Sequence, residues 1–279
     1  MTKFISPLLF LAAITLFACN QSQQNTDSTS AKTADSAATD TIAYTIEDYR
    51  LESEVETEVT DTMGKTYYQV RYPKFDEANL GELNRYLESR LSFIYPDTSS
   101  ETIDEAAKTF IKSFDDFQKE EVKSPFPWYT NTEILVPVNT PLYLGLEVRT
   151  DNFTGGAHGS YGVLFTNYDL QDKREINLNE IIADGKMDSL TQIAETVFLE
   201  NEKKARGEEA PISSFFFEDN KFTLNDNFLL KKDSLLFLYN IYEIKPYSDG
   251  ITELAIPYTQ IENLLTPKAK EYISQHSQL

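Results

Sequence analysis

The sequence predicts an α+β fold, and three observations predict it. Apolar residues alternate with polar ones over short runs that end in Gly, Pro or Asn, the pattern of half-buried strands joined by tight turns. Other segments repeat their apolar residues at helical spacing. Helices and strands come in separate blocks, which favours helices packed beside antiparallel sheets. With 279 residues, 41% hydrophobic and including 18 Phe and 16 Tyr, the chain is long enough to bury a real core.

Residues 1–18 read as a signal peptide. Lys3 gives a charged start, residues 4–17 form an apolar run too short to span a bilayer comfortably, and Ala18 precedes Cys19. Leu16-Phe17-Ala18-Cys19 resembles a bacterial lipobox, which implies cleavage before Cys19 and lipidation of its sulfur and new amino group. More than one acyl chain gives stable anchoring. An ordinary secretory signal with an unlipidated cysteine is the competing reading. Asn20 after the cysteine is compatible with the outer membrane where a cell has two. Cys19 is the single cysteine, so no disulfide forms within the chain. Residues 19–43, rich in Ser, Thr, Gln and Ala and free of aromatics, are expected to form a disordered tether.

Order is expected from Tyr44, in two halves, residues 44–170 and 171–279. In the first, Val55, Thr57 and Val59 alternate with Glu54, Glu56 and Glu58, which predicts a strand; a partner follows at 66–72, stopped by Pro73. Leu80, Leu83, Leu87, Leu91 and Ile94 predict a helix, and Ile103, Ala107, Phe110, Phe114 and Phe117 a second. Strands at 133–138, 142–150 and 161–170 are linked by Asn139-Thr140-Pro141 and by a glycine-rich turn. The second half begins with a helix at 187–204 that Gly207 can end. Phe215, Phe216, Phe217 and Phe222 are expected to be buried. A hairpin at 228–230 and 235–239, a strand at 253–256 and closing helices at 258–265 and 268–274 complete the chain.

A formal charge of −20 argues against nucleic acid as a partner and suits a cationic partner, a divalent cation, or simple solubility and mutual repulsion. Two local patterns stand out, and the first is the one that looks specified in detail. The first is Phe153-Thr154-Gly155-Gly156-Ala157-His158-Gly159-Ser160-Tyr161-Gly162, with four of the ten glycines and one of the two histidines. Gly155 and Gly156 give access to positive φ, so the strand pair can turn sharply. His158 could act as a base or a metal ligand, or could pin its loop through backbone hydrogen bonds. The second is Tyr242-Glu243-Ile244-Lys245-Pro246-Tyr247. Pro246 fixes φ and the tyrosines offer rigid amphipathic area, which suits a recognition loop or an aromatic-stapled crossover. A zinc site needs more ligands, and His276 near the C-terminus is a poor second one. No metal-hydrolase, nucleophile-elbow or phosphate-loop pattern is present, so neither metal nor cofactor is expected.

The glycine-rich stretch and the run from Phe228 through Tyr242-Glu243 and Pro246-Tyr247 to Ile256-Pro257-Tyr258 occur in this order. Together they resemble an extracytoplasmic domain of unknown function found in the lysozyme-sensing anti-sigma factor RsiV, with a similar module in the peptidoglycan deacetylase PdaC. The resemblance spans residues 44–265. It implies an α+β module that binds a component of the cell envelope without catalysis of its own. It further implies a cationic, lysozyme-like protein or a peptidoglycan glycan as ligand, with Gly155, Gly156, His158, Tyr242, Glu243, Pro246 and Tyr247 shaping the surface. No transmembrane helix, sigma-binding segment or deacetylase domain is evident, so a complete anti-sigma factor or deacetylase is not expected. Two alternatives stay open: a cell-wall-modifying enzyme using His158 with a carboxylate, and a purely structural surface module.

Overall fold

A computed structural model describes residues 42–91, 102–121 and 123–276, and the backbone of 93–95 and 98–99. The signal peptide, Cys19 and nearly all of the tether lie outside the described residues. The elements in chain order are β1 (Tyr44–Glu52), α1 (Thr60–Met63), β2 (Tyr67–Phe75), α2 (Glu77–Leu91), β3 (Phe93–Tyr95), β4 (Thr98–Ser99), α3 (Ile103–Phe117), β5 (Tyr129–Asn139), β6 (Tyr143–Phe153), β7 (Ser160–Asp169), β8 (Arg174–Glu175), α4 (Leu178–Ile181), α5 (Met187–Arg206), β9 (Phe228–Leu230), β10 (Ser234–Tyr239), β11 (Thr252–Pro257), α6 (Tyr258–Ile261) and α7 (Pro267–Gln275). The fold is α+β.

Six strands form one sheet in the order β1-β2-β5-β6-β7-β8, three form a second in the order β11-β10-β9, and β3 pairs with β4. Neighbours run antiparallel except β2 and β5, which are parallel. Two helices lie between these strands in the chain, and a crossover of that length brings a strand back in the same direction.

The large sheet has a core on each face. On its inner face Tyr68, Val70, Ile134, Leu144 and Leu146 pack with Leu83 and Leu87 of α2 and Phe110 of α3. On its outer face Val138 and Tyr143 join the second sheet, through Leu229, Phe237 and Leu254, and Phe198 of α5. Alternation along a strand would put Ile134 and Val138 on the same face. A register shift between Leu135 and Val138, where Pro137 has no N–H to give, moves Val138 to the other.

Side chains stitch the two sheets together. The fully buried Tyr143 donates its hydroxyl proton to Asn167 Oδ1 and accepts from the Leu230 N–H at 3.1 Å. A Cβ on Gly145 would lie 2.7 Å from Leu229 Cδ1, so this close approach needs glycine. At Val163 and Phe165 of β7, backbone groups not paired with β6 are taken by two amides. Asn240 accepts from Val163 N–H at 2.7 Å and donates to Val163 O at 3.0 Å. Asn227 accepts from Phe165 N–H at 2.7 Å and donates to the same Val163 O at 2.9 Å.

Several expectations are corrected. The first strand is β1, upstream of the predicted Val55-Thr57-Val59 run, which is irregular. The chain leaves the sheet at Ser53, whose hydroxyl accepts from Val55 N–H at 2.9 Å and folds the following residues away. Pro73 does not stop β2, because past Arg71 that strand has already lost β5 and a missing N–H is tolerated with one neighbour. The predicted first helix ends at Leu91, short of Ile94. Phe216 is exposed, not buried, since its N–H is drawn to Ile244 O while Phe215 and Phe217 pack inward. Ile42, assigned to the tether, is already held: its N–H and C=O bond the side-chain amide of Asn139, each at 2.9 Å.

Candidate functional site

The glycine-rich stretch is the tip of the β6–β7 hairpin, which closes at the Asn152–Ser160 pair. Gly155 and Gly156 have φ of 92° and 101°, a region costly for any residue with a Cβ. A Cβ on Gly159 would sit 2.9 Å from Asn152 O and 3.3 Å from the Tyr129 hydroxyl, so backbone and ring can close over this position only if it is glycine. His158 is exposed, and its Nδ1 lies 2.7 Å from Gly159 O. A carbonyl can only accept, so Nδ1 is the donor in this contact.

The second stretch is a loop between β10 and β11, closed by its own carboxylate. Glu243 accepts from Asn240 N–H and from Asn225 Nδ2, both at 2.7 Å. Tyr242 is thereby held at φ 63°, left-handed for a bulky residue, with more than half of its surface exposed. Pro246, also exposed, leads into a 3-10 turn at Tyr247–Asp249 that Gly250 ends at φ 70°. Helix α5 grips this loop from behind. Lys245 Nζ lies 2.9 Å from Glu202 Oε1, with both side chains nearly buried. Arg206 bonds the other Glu202 oxygen at 3.0 Å and reaches Asp249 at 3.5 Å.

The two stretches, more than 80 residues apart, meet at Tyr247. Its ring lies 4.4 Å from that of His158, 5.6 Å from Tyr242 and 6.1 Å from Tyr161, centroid to centroid. Its hydroxyl lies 3.4 Å from Gly159 O. Of the seven residues expected to form a binding surface, His158, Tyr242 and Tyr247 come together as side chains. Gly155 and Gly156 shape the turn beneath them; Glu243 and Pro246 shape the loop. A ladder of rings continues from the tip along the outer face. Phe153 stacks on Tyr129 at 6.2 Å, Tyr129 on Tyr67 at 5.8 Å, and the Arg50 guanidinium caps Tyr67 at 3.8 Å. Burial, then the Asp151 carboxylate, pushes the Tyr129 phenol up, so that hydroxyl keeps its proton at physiological pH.

Among the described residues His158 has no carboxylate partner, and no three His, Cys, Asp or Glu side chains are grouped to hold a metal. His276 is buried against Tyr143 in the core between the sheets, where burial, with Lys232 and Lys231 nearby, depresses its basicity. The arrangement can bind through rings and carboxylates; it shows no paired acid and base. The sequence reading missed Tyr161, the ladder and the Glu202 network. One signal for the last was present: Glu202 falls on the stripe Leu190, Ala194, Phe198, four residues further on, where an apolar residue belongs.

Two family models match the chain. Residues 56–161 match the model described as deacetylase PdaC, and residues 179–259 match a protein of unknown function, DUF3298. The hairpin tip lies in the first match and the tyrosine loop in the second, so the convergence at Tyr247 joins them. A DUF3298 family member from Bacteroides fragilis NCTC 9343 superposes with a TM-score of 0.65 at 23% identity, over 85% of this chain and 100% of that one. A DUF3298 family protein from Pseudomonas aeruginosa PAO1 gives 0.61 at 18% identity, over 83% and 97%. No curated protein matches. The chain carries the domain of unknown function that its motifs resemble. No described helix is long and apolar enough to cross a membrane.

Proposed function

We propose that this chain is a lipid-anchored recognition protein of the cell envelope that captures a cationic, lysozyme-like protein without chemistry of its own. The observation that carries the reading is the meeting of His158 and Tyr247, rings 4.4 Å apart, with Tyr242 exposed beside them. Tyrosines on a pre-formed loop supply contact area at little entropic cost, the property that concentrates binding energy at protein interfaces. Glu243, Asp249 and Asp151 are exposed at or near this patch, and the chain as a whole carries −20. Such a field speeds the approach of a basic partner and favours it over neutral ones. The lipobox at Cys19 supports tethering outside the cytoplasm, on the outer membrane where there are two.

Titration of lysozyme, as the cationic probe, against the purified chain at low and high salt tests this. Binding is expected to weaken on screening and to fall about tenfold or more in Tyr247→Ala and in Tyr242→Ala. Absence of binding at low salt, or affinity indifferent to both substitutions, overturns the reading. Turnover of cell-wall polymer that His158→Ala removes would replace it with the enzyme alternative. For the anchor, Cys19→Ser is expected to move the protein from the membrane fraction into the soluble one.

A further inference from the structure

The inner face of the large sheet changes character along its strands. By register, Ile134, Val148 and Leu164 share one row across β5, β6 and β7. The next two rows are Thr132–Thr150–Gly162 and Thr130–Asn152–Ser160. Alternation places all of these on the face that α2 and α3 cover elsewhere, where a packed sheet would carry Val, Ile or Leu. Helices α2 and α3 pack over β1, β2 and the Leu144–Leu146 part of β6, while nearer the hairpin tip Thr132, Thr150 and Asn152 are only half-buried. Leu164 is accordingly 57% exposed.

What results is a cleft of about 750 Å³. The threonine and asparagine rows are its floor; Tyr68, Tyr86, Leu91 and Phe110 form one wall, and Leu164 and Phe165 with Asp226 and Asn227 the other. Its size falls in the range of about 300–1,000 Å³ that small-molecule sites occupy. Thr132 and Thr150 face each other at 3.3 Å between hydroxyl oxygens. The side chains of Thr130 and Asn152 have no hydrogen-bond partner among the described residues. Arg90 at the rim is neutralised: Glu175 lies 3.2 Å from its Nη2, and the Tyr86 hydroxyl accepts from it at 2.9 Å while donating to Glu175 at 3.0 Å. Hydroxyls and amides below, rings at the side and no unpaired cation among the described lining residues suit a ligand rich in hydroxyl and amide groups and without negative charge, and the exposed Asp226 carboxylate at the wall would repel an anion.

We infer that this cleft binds a neutral oligosaccharide of two or three sugar units, with ring CH faces against Phe110 and Leu164 and polar groups on the Thr130–Asn152 and Thr132–Thr150 rows. Phe110 and Leu164 supply the apolar contacts; the two rows supply orientation. The site lies on the opposite face of the sheet from the Tyr247 patch and stands independently of the function proposed there.

Calorimetric titration of N-acetylglucosamine oligomers of two to six units, against the full chain, tests it. Saturable binding is expected, weakened about three- to tenfold in Thr150→Val and again in Thr132→Val, each removing one hydroxyl at nearly constant shape. Valine favours strands, so the melting temperature of both variants should hold. Tyr247→Ala should leave the affinity unchanged. No binding by any oligomer overturns the inference. So does affinity untouched by both threonine substitutions, or affinity lost in Tyr247→Ala.

Discussion

The tip of the β6–β7 hairpin and the strip of sheet behind it belong to the same two strands but are built in opposite ways. The tip is assembled from a distance: Tyr247 arrives from a loop more than 80 residues away, and that loop is positioned by Glu202 of α5 through Lys245. The strip is regular sheet, and its character comes from threonines standing where apolar side chains would attract a cover. A surface of the first kind fails when a remote contact fails. A surface of the second kind fails only with the strands themselves.

The largest effect should come from the base that both surfaces share. Asp169, at the far end of β7, is fully buried and accepts from the Tyr272 hydroxyl and from the N–H groups of Gln171 and Asp172, with Lys268 at 3.6 Å. Asp169→Ala leaves these donors unpaired and is expected to cost about 3 kcal/mol or more, lowering stability and disabling tip and strip together in thermal melts and both titrations. Burial pushes the Asp169 carboxyl up, but Tyr272, the two N–H groups and Lys268 outweigh it, and the folded-state value lies below the usual one. Its contribution is therefore complete above a pH of about 4 and is lost as pH falls through the lowered folded value. Melting temperature followed downward from neutral pH should show that acid limb, and Asp169→Asn should flatten it.

Lys245→Ala separates the two surfaces. It leaves Glu202 nearly buried with Arg206 as its remaining partner, at a cost of about 1–3 kcal/mol. Binding at the Tyr247 patch should fall with it while oligosaccharide binding in the cleft persists; equal loss of both would show that the two regions are not independent. Gly159→Ala is the smallest change. Its Cβ meets Asn152 O at 2.9 Å, so the turn must shift, costing about 1–2 kcal/mol, and the expected result is loosening of the tip alone, read as faster amide exchange at 154–160.

Much of the fold was legible because it rests on local rules. Helix α5 and its Gly207 cap, the β9–β10 hairpin and the glycine turn each carry their own residue signals. Strand β1 was not, because an edge strand with mostly exposed side chains lacks the alternation that marks a half-buried one, while the Glu-Val-Glu-Thr run shows it by accident. The parallel β2–β5 pair could have been read from the two helices between them. At the candidate site, both stretches stood out in the sequence, but their meeting did not. Nothing in Tyr247 or His158 encodes the other; it depends on how one sheet lies on the next. The cleft was invisible for a different reason, since threonine is an ordinary strand residue and only its row partners make it unusual.

Asn227 and Asn240 occupy hydrogen-bonding groups on β7 that a strand from another molecule would otherwise seize. An amide side chain fills those positions without presenting a fresh row of N–H and C=O groups of its own. Extension of the sheet therefore stops at that stretch of β7, and a neighbouring copy is denied it as a template for adding strand by strand.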